Sequence, residues 1–82
     1  MRTVTLYSAP GCHLCDDARA ALQRVRDRSQ FELHERDITA DGALHRAYLE
    51  RIPVVELDGE ELFEYFVDEA ALAARLGSEP LE

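Results

Sequence analysis

The chain has 82 residues, of which 46% are hydrophobic and 32% are charged, a composition typical of a globular domain and not of a disordered or fibrous chain. This length allows one small domain with one core. The 9 basic and 17 acidic residues give a formal charge of −8, which disfavours nucleic acid and anionic membranes as partners. All the basic residues are arginines, which excludes a lysine base or Schiff-base nucleophile.

The N-terminal sequence MRTVTLYSAPG has no apolar core of signal-peptide length, and no stretch of the chain approaches the ~20 apolar residues that span a bilayer. We therefore expect a cytoplasmic protein without a membrane partner. Cytosolic thiols are kept reduced, so a single pair of cysteines is more often catalytic or metal-binding there than a permanent structural disulfide.

The first half of the chain has the pattern of a β-α-β unit. Residues 3–7 (TVTLY) and 31–37 (FELHERD) alternate and carry β-forming side chains, which predicts two strands. Residues 12–28 between them contain neither Gly nor Pro and repeat apolar side chains at helical spacing, which predicts a helix. The expected inward positions of this helix are Cys15, Ala18, Leu22 and Val25.

The next elements are a short helix and a hairpin. The helix is expected to begin at about Asp41 and to turn Leu44, Tyr48 and Leu49 inward. The dipeptide Asp58-Gly59 then separates PVVEL from ELFEY, and it favours a two-residue type I′ turn because both positions need a positive φ. Around this hairpin, the expected core or hairpin-face residues are Val55, Leu57, Phe63 and Phe66.

The last predicted element is the helix DEAALAARL, with Asp68 as its N-cap and Gly77 just beyond its end. Its apolar side chains, Ala71, Leu72 and Leu76, fit a helical period and do not alternate. The predicted order is therefore β-α-β-α-β-β-α. We expect a single domain over residues 1–77 and a tail over residues 78–82.

The segment PGCHLC brings two cysteines to the start of the first helix. Cys12, in the first turn, is predicted to be the nucleophile because a helix N-terminus favours a thiolate. Cys15, on the buried stripe one turn later, is predicted to resolve the mixed disulfide. The carboxylates of Asp16 and Asp17 oppose the thiolate, whereas His13 favours it when protonated.

Three other interpretations of the pair are open at this point. A structural disulfide would be reduced in the cytosol. A zinc site would need His34 and His45, which lie on different predicted elements without the paired spacing of structural sites. A small carrier domain for a soft metal ion also has a C-x-x-C after its first strand. Such a domain ends in a strand and has its hairpin in the middle, unlike the order predicted here.

The segments LYSAPGCHLC and RIPVVELDG together resemble a glutaredoxin-like member of the thioredoxin superfamily over nearly the whole chain. This resemblance implies an α/β thioredoxin-like fold with a four-stranded mixed sheet. It also implies that Cys12 is the nucleophile, that Cys15 resolves, and that Pro53 is a cis-proline facing them. The N–H and C=O of Ile52 would then hold an extended substrate as an added strand. With His13, Ile52 and Pro53 form the expected substrate-binding set.

Two departures from this family concern glutathione. Ala9 stands three positions before the first cysteine, where members that use glutathione usually carry Lys or Arg. The stretch EYFVDEA (64–70) lacks the Gly-Gly pair that precedes the last helix in those members. Asp68 either matches the family's acidic helix-cap residue, which contacts the ligand, or is a plain N-cap. Tyr65 or Phe66, where exposed, would contact a protein partner.

The sequence thus predicts a thiol-disulfide oxidoreductase that reduces disulfides or mixed disulfides, with no bound cofactor and no metal ligands. Its expected partners are a disulfide-containing protein or a small thiol compound, together with a reductant system in which glutathione is a disfavoured candidate. The alternative is a binding module of the same fold. It would carry a soft metal ion or an iron-sulfur cluster on Cys12, or dock a partner without turnover.

Overall fold

The computed structural model describes residues 2–76, and these form four strands and three α-helices. Their order confirms the predicted β-α-β-α-β-β-α arrangement, with one 3-10 turn added after the second strand at Ile38–Ala40. Gly77 and the predicted tail lie outside the described residues. The elements are β1 (Thr3–Ser8), α1 (His13–Arg26), β2 (Glu32–Asp37), α2 (Gly42–Tyr48), β3 (Val54–Leu57), β4 (Glu60–Glu64) and α3 (Glu69–Leu76).

The strands form one mixed sheet in the order β2-β1-β3-β4. β1 runs parallel to β2, and α1 is the crossover that such a parallel pair requires. β3 runs antiparallel to both of its neighbours, β1 and β4. The predicted four-stranded mixed sheet is confirmed.

The main core lies between the sheet and the helices α1 and α3. Val4 and Leu6 of β1 and Val55 and Leu57 of β3 point to this side, two residues apart as strand geometry requires. The predicted inward stripe of α1 is buried throughout, with Ala21 added to it. Phe63 is partly buried against this core, as expected for the hairpin face.

A second, smaller core lies on the other face of the sheet. Tyr7 and Val54, which alternate with the main-core residues, pack there with Ile38. The ring of Tyr48 stacks on that of Tyr7 with a centroid distance of 4.7 Å. The prediction for Leu49 is wrong: α2 ends at Tyr48, so Leu49 becomes its C-cap and is 50% exposed.

The hairpin turn has the backbone that Asp-Gly favours, with φ of 52° at Asp58 and 87° at Gly59. Asp58 also joins the turn to the start of β1. Its Oδ1 accepts a hydrogen bond from the N–H of Thr3 at 2.9 Å, and its other oxygen pairs with the guanidinium of Arg2. These two contacts hold the pKa of the Asp58 carboxyl below its usual value.

Asp68 is the N-cap of α3, as predicted. Its Oδ1 accepts a hydrogen bond from the N–H of Ala71 at 3.0 Å, and its carbonyl accepts one from the N–H of Leu72. Arg24 of α1 donates to Glu69 in the first turn of α3 and so links the two helices across their exposed side. None of the helices within residues 2–76 has the length and apolar composition needed to cross a bilayer.

Replacing Leu22 by alanine should lower the free energy of unfolding by about 2–5 kcal/mol, because a fully buried leucine leaves a cavity. Urea denaturation followed by circular dichroism measures the loss. The half-exposed Leu49 is the control, and its replacement by alanine should change stability by no more than about 0.5 kcal/mol. Equal losses for the two variants would contradict the burial pattern.

Replacing Asp58 by asparagine should remove a pH-dependent part of the stability. The folded pKa of Asp58 lies below its unfolded value, so its contribution is present above the unfolded pKa and disappears as the pH falls through the folded pKa. Asparagine tolerates the positive φ and keeps an acceptor for Thr3, so the backbone is preserved.

Urea midpoints for wild type and Asp58→Asn should therefore differ at pH 7 and converge toward pH 3. Asp27→Asn, the same chemical change at the exposed C-terminal end of α1, is the matched control. A constant difference between wild type and Asp58→Asn across this pH range would contradict the prediction.

Candidate functional site

The register of the sheet brings three chain segments to one end of it. Tyr7, near the carboxyl end of β1, pairs with Val54, the first residue of β3. Val54 in turn pairs with Glu64, the last residue of β4. The loop that follows β1, the turn that precedes β3 and the loop that follows β4 therefore start from neighbouring positions. These loops carry, respectively, the cysteines, Pro53 and the aromatic pair Tyr65 and Phe66.

Cys12 lies at the end of a tight turn that follows β1. Gly11 has a φ of 77°, a left-handed conformation that favours glycine, and the N–H of Cys12 donates to the carbonyl of Ala9. Cys12 is extended, with φ −90° and ψ 108°, and is the N-cap of α1. The prediction that it lies in the first helical turn is thus wrong by one residue, since the helix begins at His13.

The two cysteines differ sharply in exposure. Cys12 is partly exposed, whereas Cys15 is 1% exposed on the inner face of α1. Their sulfurs are joined as a disulfide, and their Cα atoms are 5.2 Å apart. The predicted difference in exposure between the two cysteines is present.

The N-cap position gives the sulfur of Cys12 a donor. The N–H of Cys15 points at this sulfur with an N···S distance of 3.1 Å. A free backbone N–H at a helix N-terminus favours a negative charge. Such a donor stabilises a thiolate more than a thiol.

An arginine reduces the repulsion expected between the Asp16 carboxylate and a Cys12 thiolate. The Asp16 carboxylate accepts a hydrogen bond from Arg19 at 2.8 Å. Asp17 is exposed, and so is His13, the first residue of α1. The predicted influence of His13 on the thiolate stays a prediction.

A polar cluster that the sequence did not reveal lies beside the cysteine loop. Buried Ser8 donates its hydroxyl to Glu35 at 2.8 Å, and Arg19 pairs with both Glu35 and Asp16. We call Ser8, Asp16, Arg19 and Glu35 the Arg19 cluster. Arg19 holds the pKa of Glu35 below its usual value against the opposing effect of burial, and the Ser8 hydroxyl adds to this lowering.

The Arg19 cluster forms one wall of a cavity of about 390 Å³ that the cysteine loop also lines. The contacts of Ser8 and Arg19 with Glu35 depend on β2 lying beside β1, so no local sequence pattern indicates them, whereas Asp16 and Arg19 are an i, i+3 pair on α1. The residues lining the cavity are Ser8, Ala9, Pro10, Gly11, Asp16, Arg19, Glu35 and Asp37.

Pro53 has the expected cis peptide bond with Ile52 and is buried. The backbone of Ile52 differs from expectation. Its N–H donates to the carbonyl of Tyr48 at 3.1 Å, which closes the C-terminal end of α2. As the structure stands, this N–H is therefore not open to an added strand, and a substrate contact at Ile52 would have to use its carbonyl.

The loop after β4 is fastened to the turn that carries Pro53. The N–H of Tyr65 donates to the carbonyl of Pro53 at 2.8 Å, and its hydroxyl donates to the carbonyl of Glu50, also at 2.8 Å. Arg51 adds ion pairs to Glu61 and Glu64 of β4. We call these contacts of Tyr65 and Arg51 the turn clamp.

The turn clamp includes a backbone conformation at Tyr65 that the sequence does not predict. Tyr65 has a φ of 72°, which is uncommon for any residue except glycine. The chain thereby leaves β4 sharply, and Phe66 is 67% exposed. The expectation that Phe66 belongs to the core or hairpin face is wrong, because β4 ends at Glu64 and Phe66 lies in the loop beyond it.

Within residues 2–76, no three His, Cys, Asp or Glu side chains are grouped as a metal ion would require. His34 lies on β2, where its ring nitrogen approaches Glu32 at 3.2 Å, and His45 lies on α2. The structure does not bring either of them together with the cysteine pair in such a group.

Comparison with known proteins relates this architecture to a described family. The model of the Glutaredoxin-like domain (DUF836) matches residues 3–77. The solution structure of protein Ne2328 from Nitrosomonas europaea is 35% identical, with a TM-score of 0.79, and the match covers 92% of this chain and 91% of that one. The X-ray structure of XcR50 from X. campestris is 37% identical, with a TM-score of 0.74 and coverage of 94% and 99%.

More distant structures share the fold. A mutant thioredoxin from Halobacterium salinarum is 23% identical, with a TM-score of 0.69, and the match covers 94% of this chain and 73% of that one. At this identity the likeness concerns the fold alone. The fold is thioredoxin-like, and the chain belongs to the family of the Glutaredoxin-like domain (DUF836).

Proposed function

We propose that this protein is a thiol-disulfide oxidoreductase that cycles Cys12 and Cys15 between a dithiol and a disulfide. The cysteine pair itself is the observation that carries the proposal. One cysteine is partly exposed at a helix N-terminus, the other is buried one turn later, and their sulfurs lie within bonding distance of each other. This arrangement gives the two cysteines different tasks.

The first task is nucleophilic attack by Cys12. An ordinary thiol has a pKa of about 8.5, and a helix N-terminus lowers it. The N–H of Cys15 is aimed at the Cys12 sulfur and supports the thiolate. This thiolate attacks one sulfur of the substrate disulfide, the other sulfur leaves as a thiolate, and Cys12 becomes part of a mixed disulfide.

The second task is release of the product by Cys15. Its sulfur attacks the sulfur of Cys12, the Cys12–Cys15 bond forms, and the second substrate sulfur leaves and takes up a proton. In total, two electrons and two protons pass from the cysteine pair to the substrate. An external thiol reductant then returns the pair to the dithiol. No organic cofactor or metal is needed, because the sulfurs carry the electrons.

Pro53 and Ile52 offer the substrate a docking edge at the same end of the sheet. Their turn is held by the turn clamp, so its position relative to β4 is fixed before a substrate arrives. An extended substrate segment would bond to the carbonyl of Ile52, since the N–H of that residue is engaged by Tyr48. His13, exposed beside Cys12, completes the proposed substrate-binding set.

The surroundings of the site support a proposal for the electron donor. Ala9 offers no charge to a carboxylate of glutathione, and Tyr65 and Phe66 occupy the loop where glycines would let its backbone approach. We therefore favour a protein reductase over glutathione as the reductant. We also propose that the reaction takes place in the cytoplasm, where thiols are kept reduced. The substrates would be proteins with accessible disulfides, or small mixed disulfides.

Titration of the purified protein against defined glutathione redox buffers tests the cycle. Alkylation followed by mass measurement should show a single two-electron transition between dithiol and disulfide near the roughly −230 to −200 mV of glutaredoxins. If no intramolecular disulfide forms at any redox potential of the buffer, the two-cysteine mechanism is wrong. Metal or partner binding at Cys12 would then become the leading account.

Substitution of each cysteine separates their tasks. Cys15→Ser should trap a stable mixed disulfide with a small disulfide substrate, because nothing remains to attack the Cys12 sulfur. Cys12→Ser, the matched control, should form little adduct, since its remaining sulfur is buried. Intact-mass spectrometry distinguishes the two outcomes. An adduct on Cys12→Ser as abundant as on Cys15→Ser would reverse the assignment.

A further inference from the structure

We propose that the surface around Cys12 binds a positively charged, apolar segment of a partner polypeptide next to its disulfide. This inference rests on the proposed function and specifies its substrate class. Leu14 follows the loop after β1, and Tyr65 and Phe66 follow β4 at the same end of the sheet; we call these three exposed side chains the apolar rim.

The apolar rim concentrates the exposed large hydrophobic side chains of the described residues at one end of the sheet. Four such side chains occur within residues 2–76, and three of them belong to the rim: Leu14 at 49%, Tyr65 at 47% and Phe66 at 67% exposed. Leu14 stands between the two cysteines, and the aromatic pair follows β4. Single exposed apolar residues need no explanation, but several at the end of the sheet that carries the cysteine loop offer contact area to a substrate.

The charges around the rim are negative. Arg19 is held by Asp16 and Glu35, and Arg51 is held by Glu61 and Glu64. Each guanidinium thus pairs with two carboxylates, so each set of three side chains has a net charge of −1. The cavity beside the cysteine loop is lined by Asp16, Glu35 and Asp37 against Arg19 alone.

The wider field has the same sign. The whole chain carries a formal charge of −8, and exposed Asp17 lies two residues after Cys15. A substrate that brings positive charge is attracted to this end of the sheet, and an anionic one such as glutathione disulfide is repelled. Charge and apolar contact together select a cationic, apolar polypeptide.

The test uses a single turnover of the full chain, reduced beforehand and freed of reductant. The protein dithiol and a peptide disulfide give a protein disulfide and a peptide dithiol, so electrons and protons balance without a further reagent. Three cyclic peptides share one disulfide ring and differ in flanking residues: arginine with leucine, glutamate with leucine, and arginine with serine. Glutathione disulfide is the fourth substrate. Acid quench and mass measurement give each second-order rate constant.

At low ionic strength the arginine-leucine peptide should react at least about tenfold faster than the glutamate-leucine peptide, and added salt should narrow this gap. Asp17→Asn should lower the rate ratio of these two peptides. Asp27→Asn, the same change at the far end of α1, is the matched control and should leave the ratio as it is.

The apolar part of the proposal is tested at Phe66. The arginine-leucine peptide should react faster than the arginine-serine peptide, and Phe66→Ser should reduce this preference. Phe66→Leu, which keeps an apolar side chain at the same position, should retain most of it. A preference unaffected by Phe66→Ser would overturn the role of the apolar rim.

The outcomes separate this inference from the proposed function. Equal rates for the cationic and anionic peptides, or a faster reaction with glutathione disulfide, would overturn the inference while leaving the oxidoreductase in place. Failure to reduce any of the four disulfides would overturn both.

Discussion

The antiparallel pairing of β1 with β3 is the constraint on which the site depends. Its register places Tyr7 opposite Val54, so the loop that leaves β1 and the turn that enters β3 begin side by side. A slip of one residue would exchange the two faces of β3 and move Pro53 away from the cysteine loop. The buried residues of β3 oppose such a slip. Val55 and Leu57 pack in the main core and Val54 packs in the smaller core, so a slip would turn each of these side chains away from its core.

At this end of the sheet, some residues are buried and held in place by contacts within the chain, whereas others are exposed. Pro53, Cys15 and Ser8 are buried, and the turn clamp ties the turn before β3 to β4. Cys12 is partly exposed, and Phe66 is largely so. Cys12 and Phe66 therefore stand on a support that is held by contacts within the chain. For the proposed substrate binding, such preorganisation would reduce the entropy lost.

Much of the fold could be predicted because its signals are local. Alternation indicated β1 and β2, helical spacing indicated the buried stripe of α1, and Asp58-Gly59 indicated the hairpin. The features that could not be predicted depend on contacts between distant segments or on an unusual backbone. Ser8 meets Glu35 only across the parallel pair, and Tyr65 adopts a positive φ without being glycine. The N–H of Ile52 is taken up by the end of α2, which family resemblance did not reveal.

The burial of Cys15 has a consequence for the chemical durability of the reduced protein. A peroxide or an electrophile that meets the dithiol can reach the sulfur of Cys12, whereas Cys15, at 1% exposure, is shielded by α1 and the sheet. A sulfenic acid formed on Cys12 has the thiol of Cys15 one helical turn away, and the two condense to a disulfide with loss of water. In the proposed dithiol form, the shielded sulfur would thus stop the oxidation of its neighbour at a reversible stage, before the sulfinic acid that cells rarely repair.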